Sequence, residues 1–403
     1  MSVLSGKKIV LGISAGIAAY KTAGLVRLFI KAGAEVKVVM TPAAKDFVTP
    51  LTLSTLSKNP VHSEFFSKEE ENEEWTNHVE LGLWADLMLI APLTANSLSK
   101  MVSGASNNLL LAVYLSSKCP VYVAPAMDLD MYQHPSTQEN LNALNARGTM
   151  IIPATSGELA SGLVGPGRMA EPEDIVNFIE MDLLQGLPLY GKKVMITAGP
   201  THEAIDPVRY IGNHSSGKMG FALAEIAAEL GAEVDLISGP SALVLNHPFV
   251  KRTDVVSALD MYNSVSLAFS DADVAIFAAA VADYTPEKVA GQKIKKSEDQ
   301  FQISLKKTKD ILGTFGPQKK QQFVVGFALE TENELAYAKD KMKRKHADLV
   351  VLNSLNDPGA GFAGDQNKVS LISKDAVQEY GLKSKAEVAT DIWTEILRLQ
   401  YED

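Results

Sequence analysis

The chain has 403 residues, of which 46% are hydrophobic and 21% charged, so it is long enough for two or three domains with buried cores. Its formal net charge of −10 argues against non-specific binding to nucleic acid, which requires a basic surface. The one cysteine, Cys119, excludes a disulfide framework within the chain.

Hydropathy and the start of the chain indicate a cytoplasmic protein. The longest apolar runs, residues 87–93 and 274–282, are far shorter than the roughly 20 residues that a membrane-spanning helix needs. The first residues lead into a predicted strand and lack the apolar segment of a signal peptide. We therefore expect no membrane partner.

The first half begins with a strand–turn–helix–strand pattern. Residues 7–16 start as an apolar strand and end in a glycine-containing turn. Residues 17–31 repeat apolar side chains at helical spacing, and residues 35–40 are the next predicted strand. Further buried strands are predicted over residues 87–91 and 121–124. Such βαβ units require parallel strands, and a doubly wound sheet is the simplest topology.

The same pattern restarts near residue 190. Residues 172–184 are a predicted helix, and the short linker that follows leads to residues 191–199, which repeat the opening of the chain. Residues 222–230 are again a predicted helix, and residues 233–237 are a predicted strand. We therefore predict two tandem α/β domains with doubly wound, mainly parallel sheets of the Rossmann or flavodoxin-like type, over residues 1–186 and 187–403.

Two glycine motifs match catalytic signatures without their structural context. Residues 12–16 match the G-x-S-x-G nucleophile elbow, but they follow the first strand, and no Asp-then-His partners stand out downstream. An anion cradle at a helix N-terminus fits this turn better. Residues 212–218 match a P-loop, but Met219 replaces the Ser or Thr that binds Mg²⁺. This run can still bind an anion where a helix begins.

Four segments of the first half carry a family resemblance. They are Gly12-Ile13-Ser14-Ala15-Gly16-Ile17-Ala18-Ala19-Tyr20-Lys21, Asn77-His78-Val79-Glu80-Leu81, Ala91-Pro92-Leu93-Thr94-Ala95-Asn96-Ser97 and Ala124-Pro125-Ala126-Met127-Asp128-Leu129-Asp130-Met131. Together, in this order, they resemble the flavin-dependent cysteine decarboxylases.

The second half carries a different resemblance. Its segments are Asp206-Pro207-Val208-Arg209-Tyr210-Ile211-Gly212-Asn213-His214-Ser215-Ser216-Gly217-Lys218-Met219-Gly220, Ala278-Ala279-Ala280-Val281-Ala282-Asp283-Tyr284, Lys293-Ile294-Lys295-Lys296 and Gly326-Phe327-Ala328-Leu329-Glu330-Thr331. They resemble the phosphopantothenate–cysteine ligases. The two halves in this order are similar to the bifunctional proteins of coenzyme A biosynthesis.

The resemblance implies two consecutive reactions. The second half would activate the carboxylate of 4′-phosphopantothenate with CTP and Mg²⁺, release pyrophosphate, and join cysteine to the acyl-cytidylate with loss of CMP. The first half would use FMN to oxidise the thiol of that product, which lets CO₂ leave, and would return the hydride to give 4′-phosphopantetheine. Because the family forms decarboxylase trimers and ligase dimers, the resemblance also implies a homo-oligomer.

Three residues of the first half matter most for its chemistry. His78 matches the family's catalytic histidine, and an imidazole suits deprotonation of a thiol. Asp128 departs from the usual Asn, whose amide can donate to the substrate carboxylate, whereas an Asp donates only when protonated. Burial that keeps it protonated is the favoured explanation; a different binding geometry or an impaired first half would also explain it.

Ser161 is a second departure, because the family often has a proton-donating Cys there. A hydroxyl is a poor direct acid, although it could hold a water that donates. The surrounding residues 159–169 keep the family pattern and are expected to form a flexible loop that covers the substrate over the flavin. The resemblance places FMN against Gly12, Ser14, Gly16, Ile17, Thr41, Thr94, Ala95, Asn96 and Ser97.

In the second half, Asn213 matches the family's residue that handles the acyl-cytidylate, although an Asn before a helix can also be a cap. Lys293, in a basic patch with Lys295 and Lys296, is the cation expected to stabilise the transition state. The run Ser215-Ser216-Gly217 is expected to bind an anionic part of the substrate where a helix begins.

The nucleotide site is predicted from one strand end and one lysine-rich helix. Asp283 follows a predicted strand over residues 275–282, at the end where α/β sheets place ligand groups, and is expected to meet the nucleotide or its Mg²⁺. Lys341 and Lys345 stand four positions apart and therefore face the same way, although such lysines are usually only solvated. The resemblance gives these CTP-binding residues: Phe277, Ala278, Ala279, Asp283, Lys293, Lys309, Asp310, Ile311, Leu312, Phe327, Lys341 and Lys345.

Two alternatives to a fully active bifunctional enzyme stay open at this point. The changes at Asp128 and Ser161 are compatible with a flavoprotein regulatory module that binds a partner. They are also compatible with a working ligase fused to a weakened decarboxylase.

Overall fold

The computed structural model describes residues 2–66, 75–295, 302–330, 332–354 and 364–401. The chain divides into two compact units, Met1–Leu184 and Gln185–Asp403. Among the described residues, no helix is long and apolar enough to cross a membrane.

The first unit alternates strands with helices. Its strands are β1 (Lys8–Ile13), β2 (Glu35–Met40), β3 (Val61–His62), β4 (Leu87–Leu93), β5 (Val121–Pro125), β6 (Met150–Ile151), β7 (Thr155–Glu158) and β8 (Val164–Arg168). Its helices are α1 (Thr22–Lys31), α2 (Pro50–Ser57), α3 (His78–Trp84), α4 (Ala95–Ser103), α5 (Leu109–Ser116), α6 (Leu129–Gln133), α7 (Pro135–Ala146) and α8 (Pro172–Gln185). Two 3₁₀ helices, Ile17–Lys21 and Pro42–Asp46, follow β1 and β2.

The central sheet of the first unit has six parallel strands in the order β3-β2-β1-β4-β5-β6. This order confirms the predicted doubly wound fold. The chain changes direction across the sheet between β1 and β4, and such a switch point leaves a crevice at the carboxyl ends of the strands. β7 and β8 form a separate antiparallel hairpin.

Helices cover both faces of this sheet. Along β1, Ile9 and Leu11 pack with Phe29 of α1 on one face, whereas Val10 packs with Leu98 of α4 on the other. This alternation is the two-residue period of a strand. Because both faces are buried, the strands are continuously apolar, and all seven residues of β4 are buried.

The predicted single helix over residues 17–31 is wrong in detail, because a 3₁₀ turn precedes α1. The Ala19 carbonyl accepts hydrogen bonds from the Thr22 backbone N–H and from Thr22 Oγ1, the latter at 2.7 Å. The Ala19 carbonyl therefore accepts a hydrogen bond from the residue three positions later, which is the pattern of a 3₁₀ helix.

The second unit has more strands. They are β9 (Lys193–Ala198), β10 (His202–Ala204), β11 (Tyr210–Gly212), β12 (Glu233–Ser238), β13 (Val250–Asp254), β14 (Val274–Phe277), β15 (Tyr284–Pro286), β16 (Leu305–Lys307), β17 (Phe323–Glu330), β18 (Leu349–Ser354), β19 (Gln366–Asn367), β20 (Val369–Ser373), β21 (Val377–Glu379) and β22 (Lys383–Ser384). The helices are α9 (Lys218–Glu229), α10 (Ala258–Ala268), α11 (Ile311–Phe315), α12 (Glu334–Arg344) and α13 (Lys385–Tyr401).

The main sheet of this unit has eight strands in the order β13-β12-β9-β14-β17-β18-β20-β21. The strands from β13 to β18 are parallel, and β20 and β21 add an antiparallel edge. The parallel part repeats the order of the first unit, with its switch point between β9 and β14. Helices again cover both faces: Ile196 packs with Trp393 of α13, and Met195 packs with Met261 of α10.

The strand predicted over residues 275–282 is too long, because β14 ends at Phe277. Beyond it, the Asn213 side-chain amide donates to the carbonyls of Ala280 and Val281, at 3.1 and 3.2 Å. The regular ladder stops at Phe277, although Ala280 still forms an isolated parallel bridge with Pro200, in which its amide donates to the Gly199 carbonyl at 2.9 Å.

Candidate functional sites

A cavity of about 920 Å³ lies at the carboxyl edge of the first sheet. Its wall comes from the segments that follow β1, β2, β4 and β5, together with the β7–β8 hairpin. The cavity is therefore at the switch point, where doubly wound sheets bind nucleotides.

Three helix N-termini at this cavity leave backbone donors open. Gly16, Thr41 and Thr94 are the N-cap residues of the two 3₁₀ helices and of α4, and within the described part of the chain none makes a side-chain cap bond. Uncapped N–H groups at helix starts favour an anion. The buried Thr41 Oγ1 also has no hydrogen-bond partner among the described residues. These donors fit the phosphate and polar groups of a flavin nucleotide.

Most of the predicted FMN contacts line this cavity. The lining residues among them are Gly16, Ile17, Thr41, Thr94, Ala95, Asn96 and Ser97. Sequence reasoning about FMN contacts missed Tyr20, Lys21, Pro42, Asn108, Met131 and Arg168, which also line it.

Gly12 and Ser14 do not line the cavity. Gly12 lies within β1, where a Cβ atom would come 2.6 Å from Leu110 Cδ1, so its small size serves strand–helix packing. Ser14 is buried, and its Oγ lies 2.7 Å from the Pro92 carbonyl and 3.0 Å from the Thr94 amide. The Ser14 hydroxyl thus holds the turn that presents α4. It is also inaccessible as a nucleophile, which agrees with the rejection of a hydrolase elbow.

Lys21 is the missed residue with the most distinctive position. Its side chain is only 5% exposed, and its Nζ donates to the Met169 carbonyl and to Glu171 Oε1, both at 2.9 Å. The hydrogen bond from Lys21 holds the pKa of Glu171 below its usual value. A lysine that ends an apolar segment, Ile17-Ala18-Ala19-Tyr20, was the available sequence signal.

The two unusual residues of the first half are in direct contact. Ser161 Oγ lies 2.9 Å from Asp128 Oδ1, which also accepts the Leu129 amide at 2.7 Å as the N-cap of α6. Asp128 lines the cavity and is only half-buried. The favoured explanation required burial of Asp128, whereas the structure shows it half-buried, with an Oδ1 that accepts two hydrogen bonds.

His78 lies outside the cavity that Asp128 lines. It is the first residue of α3 and does not line the cavity, and its ring makes edge contacts with Phe65 and Trp75 at 5.9 and 6.1 Å. Its buried Nδ1 has no hydrogen-bond partner within the described ranges. The structure therefore does not bring His78 together with Asp128, and its catalytic role stays a prediction.

A second cavity, of about 510 Å³, lies at the carboxyl ends of β9, β14 and β17. The predicted nucleotide contacts that line it are Phe277, Ala279, Asp283, Lys309, Asp310, Ile311, Leu312, Phe327, Lys341 and Lys345. Residues that sequence reasoning missed also line it: Thr197, Val281, Tyr284, Lys307 and Thr308. Ala278 is outside this wall, because it packs with the core on the opposite face of the sheet from Phe277 and Ala279.

Lys341 of α12 and Lys345, which follows its last residue, do face one cavity. Lys341 Nζ donates to the Phe327 carbonyl at 2.6 Å, and Lys345, the C-cap residue of α12, forms an ion pair with Asp310. Burial raises the pKa of Asp310, but the hydrogen bond and charge of Lys345 outweigh it, so this pKa lies below its usual value. Together with Lys309, these groups make a cationic wall suited to a triphosphate.

Asn213 is not a helix cap. Gly217 is the N-cap residue of α9, and Asn213 instead fixes the loop after β14 through the two carbonyls described above. A Cβ atom at Gly217, which has a φ of +82°, would come 3.2 Å from the Gly199 amide. The run of Ser215, Ser216 and Gly217 thus starts α9 close against the end of β9.

Lys293 lies outside the second cavity and is exposed. Its neighbour Ile294 donates its amide to Asp206 Oδ2 at 3.1 Å, and the buried Asp206 carboxylate also accepts the Arg209 guanidinium. The Arg209 guanidinium and the backbone amides of Val208, Ile294 and Arg209 hold the pKa of Asp206 well below its usual range. Asp206 therefore anchors the segment that carries Lys293. Lys296 lies outside the described residues.

No group of three or more His, Cys, Asp or Glu side chains that could hold a metal ion occurs in the described part of the chain. Asp283 is exposed at the rim of the second cavity. A single carboxylate fits Mg²⁺ that arrives bound to nucleotide phosphates and keeps its waters.

Known proteins resemble both units. A family model described as flavoprotein matches residues 2–184, and one described as DNA/pantothenate metabolism flavoprotein C-terminal domain matches residues 189–399. A cysteine/cysteine sulfinic acid decarboxylase from an unknown prokaryotic organism is 51% identical over 358 residues, covering 87% of this chain and 99% of that protein.

A coenzyme A biosynthesis bifunctional protein, CoaBC of Vibrio vulnificus strain YJ016, is 45% identical over 402 residues, which cover 99% of this chain and 99% of that protein. The crystal structure of the C-terminal domain of a CoaBC protein is 42% identical, covers 54% of this chain and 100% of that one, and has a TM-score of 0.46. Two family models match consecutive halves, and the Vibrio relative spans nearly the whole length, so the chain belongs to the family of bifunctional coenzyme A biosynthesis proteins.

Proposed function

We propose that the chain carries out two consecutive steps of coenzyme A biosynthesis, with ligation in the second unit and decarboxylation in the first. Membership of the bifunctional family supports both activities. The observation that carries the proposal is that each unit has its own cavity at its own switch point, lined by residues of the motif that matches its half of the family.

In the second unit, the cationic wall of Lys309, Lys341 and Lys345 would bind the phosphates of CTP, with Mg²⁺ and Asp283 at the rim. The carboxylate of 4′-phosphopantothenate would attack the α-phosphate and release pyrophosphate. The amine of cysteine would then displace CMP from the acyl-cytidylate. Lys293 would stabilise the negative charge of the transition state. Asn213 would hold the loop that follows β14.

In the first unit, the open N–H groups after Gly16, Thr41 and Thr94 would bind the FMN phosphate and ribityl hydroxyls. Bound FMN would supply the two-electron oxidation of the substrate thiol that makes loss of CO₂ easy, and then the return of the electrons. The β7–β8 hairpin would cover the substrate and exclude water. Arg168, in the wall and 43% exposed, would balance part of the negative charge of the substrate, whereas the buried Lys21 would hold the wall through Met169 and Glu171.

A second candidate activity is favoured by one comparison. The relative at 51% identity bears the name of a decarboxylase of cysteine and cysteine sulfinic acid, so direct decarboxylation of free cysteine by the first unit is the alternative to test. Both candidates use the same cavity and the same flavin chemistry, and they differ in whether the ligase must act first.

The direct experiment gives the purified chain FMN, 4′-phosphopantothenate, cysteine, CTP and Mg²⁺, and follows products by mass spectrometry. We expect pyrophosphate and CMP in equal amounts, with 4′-phosphopantetheine as the final product. Absence of pyrophosphate would refute the ligase assignment. Accumulation of phosphopantothenoylcysteine in the presence of bound FMN would refute the decarboxylase assignment and leave a ligase with an inactive flavoprotein half. ATP, in place of CTP, tests the nucleotide preference.

Assembly into a homo-oligomer, which the family resemblance implies, is part of the same proposal. Light scattering of the FMN-loaded chain tests it, and a monomer at micromolar concentration would contradict it.

A further inference from the structure

The hairpin of β7 and β8 packs its backbone against the segment that leads into α6. The Met127 amide donates to the Gly167 carbonyl at 2.9 Å. A Cβ atom at Gly167 would come 2.5 Å from the Met127 carbonyl oxygen, and one at Gly165 would come 2.6 Å from Leu129 Cδ1. Gly167, whose φ is +133°, therefore requires glycine, whereas at Gly165 the close neighbour is the movable end of a leucine side chain.

The tip of the hairpin is held differently. Residues 159–163 form a tight turn in which the Leu159 amide bonds the Leu163 carbonyl at 2.8 Å and the Gly162 amide bonds the Leu159 carbonyl at 2.9 Å. The turn is exposed, so little apolar burial holds it down. The side-chain bond that reaches from this tip to the body of the unit runs from Ser161 Oγ to Asp128 Oδ1.

The chemistry of this pair suits a latch better than an acid. A serine hydroxyl that points its proton at a carboxylate donates a charge-assisted hydrogen bond and has no acidic proton to give to a product. The carboxylate in turn is fixed by its bond to the Leu129 amide, so it is an oriented acceptor. The two residues that depart from the family pattern therefore complement each other.

We infer that Asp128 and Ser161 act together as a latch that closes the hairpin tip over the flavin cavity, so that Ser161 is a positioning residue and not the proton donor. This inference rests on the proposed function for the identity of the cavity, but the latch itself can be measured without turnover.

Hydrogen exchange of the amides of residues 159–162, followed by mass spectrometry in the FMN-loaded full chain without substrate, reports opening of the tip. The Leu163 amide is left out of the comparison because it donates to Ser161 Oγ at 3.4 Å and would respond to Ser161→Ala directly. We expect Ser161→Ala to raise the exchange rate of residues 159–162 about 3- to 10-fold, as expected for one partly exposed charge-assisted hydrogen bond. Ser156→Ala is the matched control, because it removes a hydroxyl from the same hairpin at an exposed position of β7. We expect this control to leave the exchange rate unchanged.

Two backgrounds at position 128 test the pairing. In Asp128→Ala the acceptor is gone, so adding Ser161→Ala is expected to have no further effect on exchange. In Asp128→Asn an amide oxygen can still accept but the bond is no longer charge-assisted, so Ser161→Ala is expected to have a smaller effect than in the wild-type background. Equal effects of Ser161→Ala on the exchange rate in all three backgrounds, or no effect in the wild-type background, would refute the proposed contact between Ser161 and Asp128 as a latch.

Turnover of supplied phosphopantothenoylcysteine separates positioning from acid catalysis. A latch predicts that Ser161→Ala raises KM about 3- to 10-fold and changes kcat by less than about 3-fold. A decrease in kcat by a factor of about 100 or more, with unchanged exchange, would make Ser161 the acid. A wild-type chain without decarboxylase activity would refute the proposed function, and the exchange data would still decide whether the latch exists.

Discussion

Replacement of Lys21 by Met tests how the wall of the flavin cavity is held together. The buried ammonium makes two hydrogen bonds, one to the buried Met169 carbonyl and one to Glu171, whose side chain is 45% exposed. Loss of the first bond costs roughly 1–3 kcal/mol, and the half-exposed pair with Glu171 adds at most about 1 kcal/mol. Methionine fills a similar volume and relieves the desolvation of a buried charge. The expected net loss is about 2 kcal/mol, or roughly 4–8 °C in Tm for a unit of this size.

The measurement is thermal unfolding of the FMN-loaded chain followed by flavin fluorescence, at two FMN concentrations so that a change in ligand affinity is separated from a change in the fold. Lys45→Met is the matched control, because Lys45 forms an exposed ion pair with Glu64 at 3.7 Å that is worth at most about 1 kcal/mol. A decrease in Tm for Lys21→Met that is no larger than the decrease for Lys45→Met would show that the hydrogen bonds of Lys21 do not stabilise the cavity wall.

The same variant has a predicted pH dependence. The hydrogen bond from Lys21 depresses the folded-state pKa of Glu171, so the stabilisation is fully present above the unfolded pKa and is lost as the pH falls through the folded value. The gap in stability between the original chain and Lys21→Met is therefore expected to narrow below about pH 4.5, near the ordinary pKa of a glutamate. A difference in the free energy of unfolding that widens as the pH falls would contradict this prediction.

Three further variants test other parts of the sites. Thr41→Val should weaken FMN binding about 3- to 10-fold in a fluorescence titration, because the buried hydroxyl is offered to the ligand; an unchanged Kd would contradict this. Lys293→Ala should abolish pyrophosphate release and leave decarboxylation of supplied phosphopantothenoylcysteine intact, whereas equal loss of both would contradict separate sites. Asp206→Asn should slow pyrophosphate release about 10-fold or more by releasing the segment that carries Lys293. Because the pKa of Asp206 is depressed in the folded chain, the stability that Asp206→Asn loses relative to the original chain should become smaller as the pH falls. A difference in the free energy of unfolding that does not change with pH would contradict this.

The fold was predictable from the sequence because both sheets are parallel and buried. Strand residues such as Val10, Leu11 and Leu89 are apolar in unbroken runs, which marks strands covered on both faces. The switch points follow from topology, so the predicted residues after β1, β4 and β14 lie around cavities. Lys341 and Lys345 could be paired in the same way, because helical spacing fixes which way they face.

Details that depend on tertiary contacts were not predictable. Ser14 was expected to contact a phosphate, but its hydroxyl is used by the backbone after β4, and no local pattern reveals that partner. The loop after β14 is held by Asn213, more than 60 residues away in the chain. Asp128 and Ser161 were each recognised as unusual, but their separation of 33 residues hid the contact between them.

The central claim is that decarboxylation in this chain follows ligation. The most direct measurement supplies cysteine labelled with ¹⁴C in its carboxyl group to the FMN-loaded chain and counts released ¹⁴CO₂ with and without CTP and 4′-phosphopantothenate. We predict release of ¹⁴CO₂ only when both are present, and loss of that release in Lys293→Ala. Release of ¹⁴CO₂ from cysteine alone, at the same rate with and without CTP, would contradict it and make free cysteine the substrate.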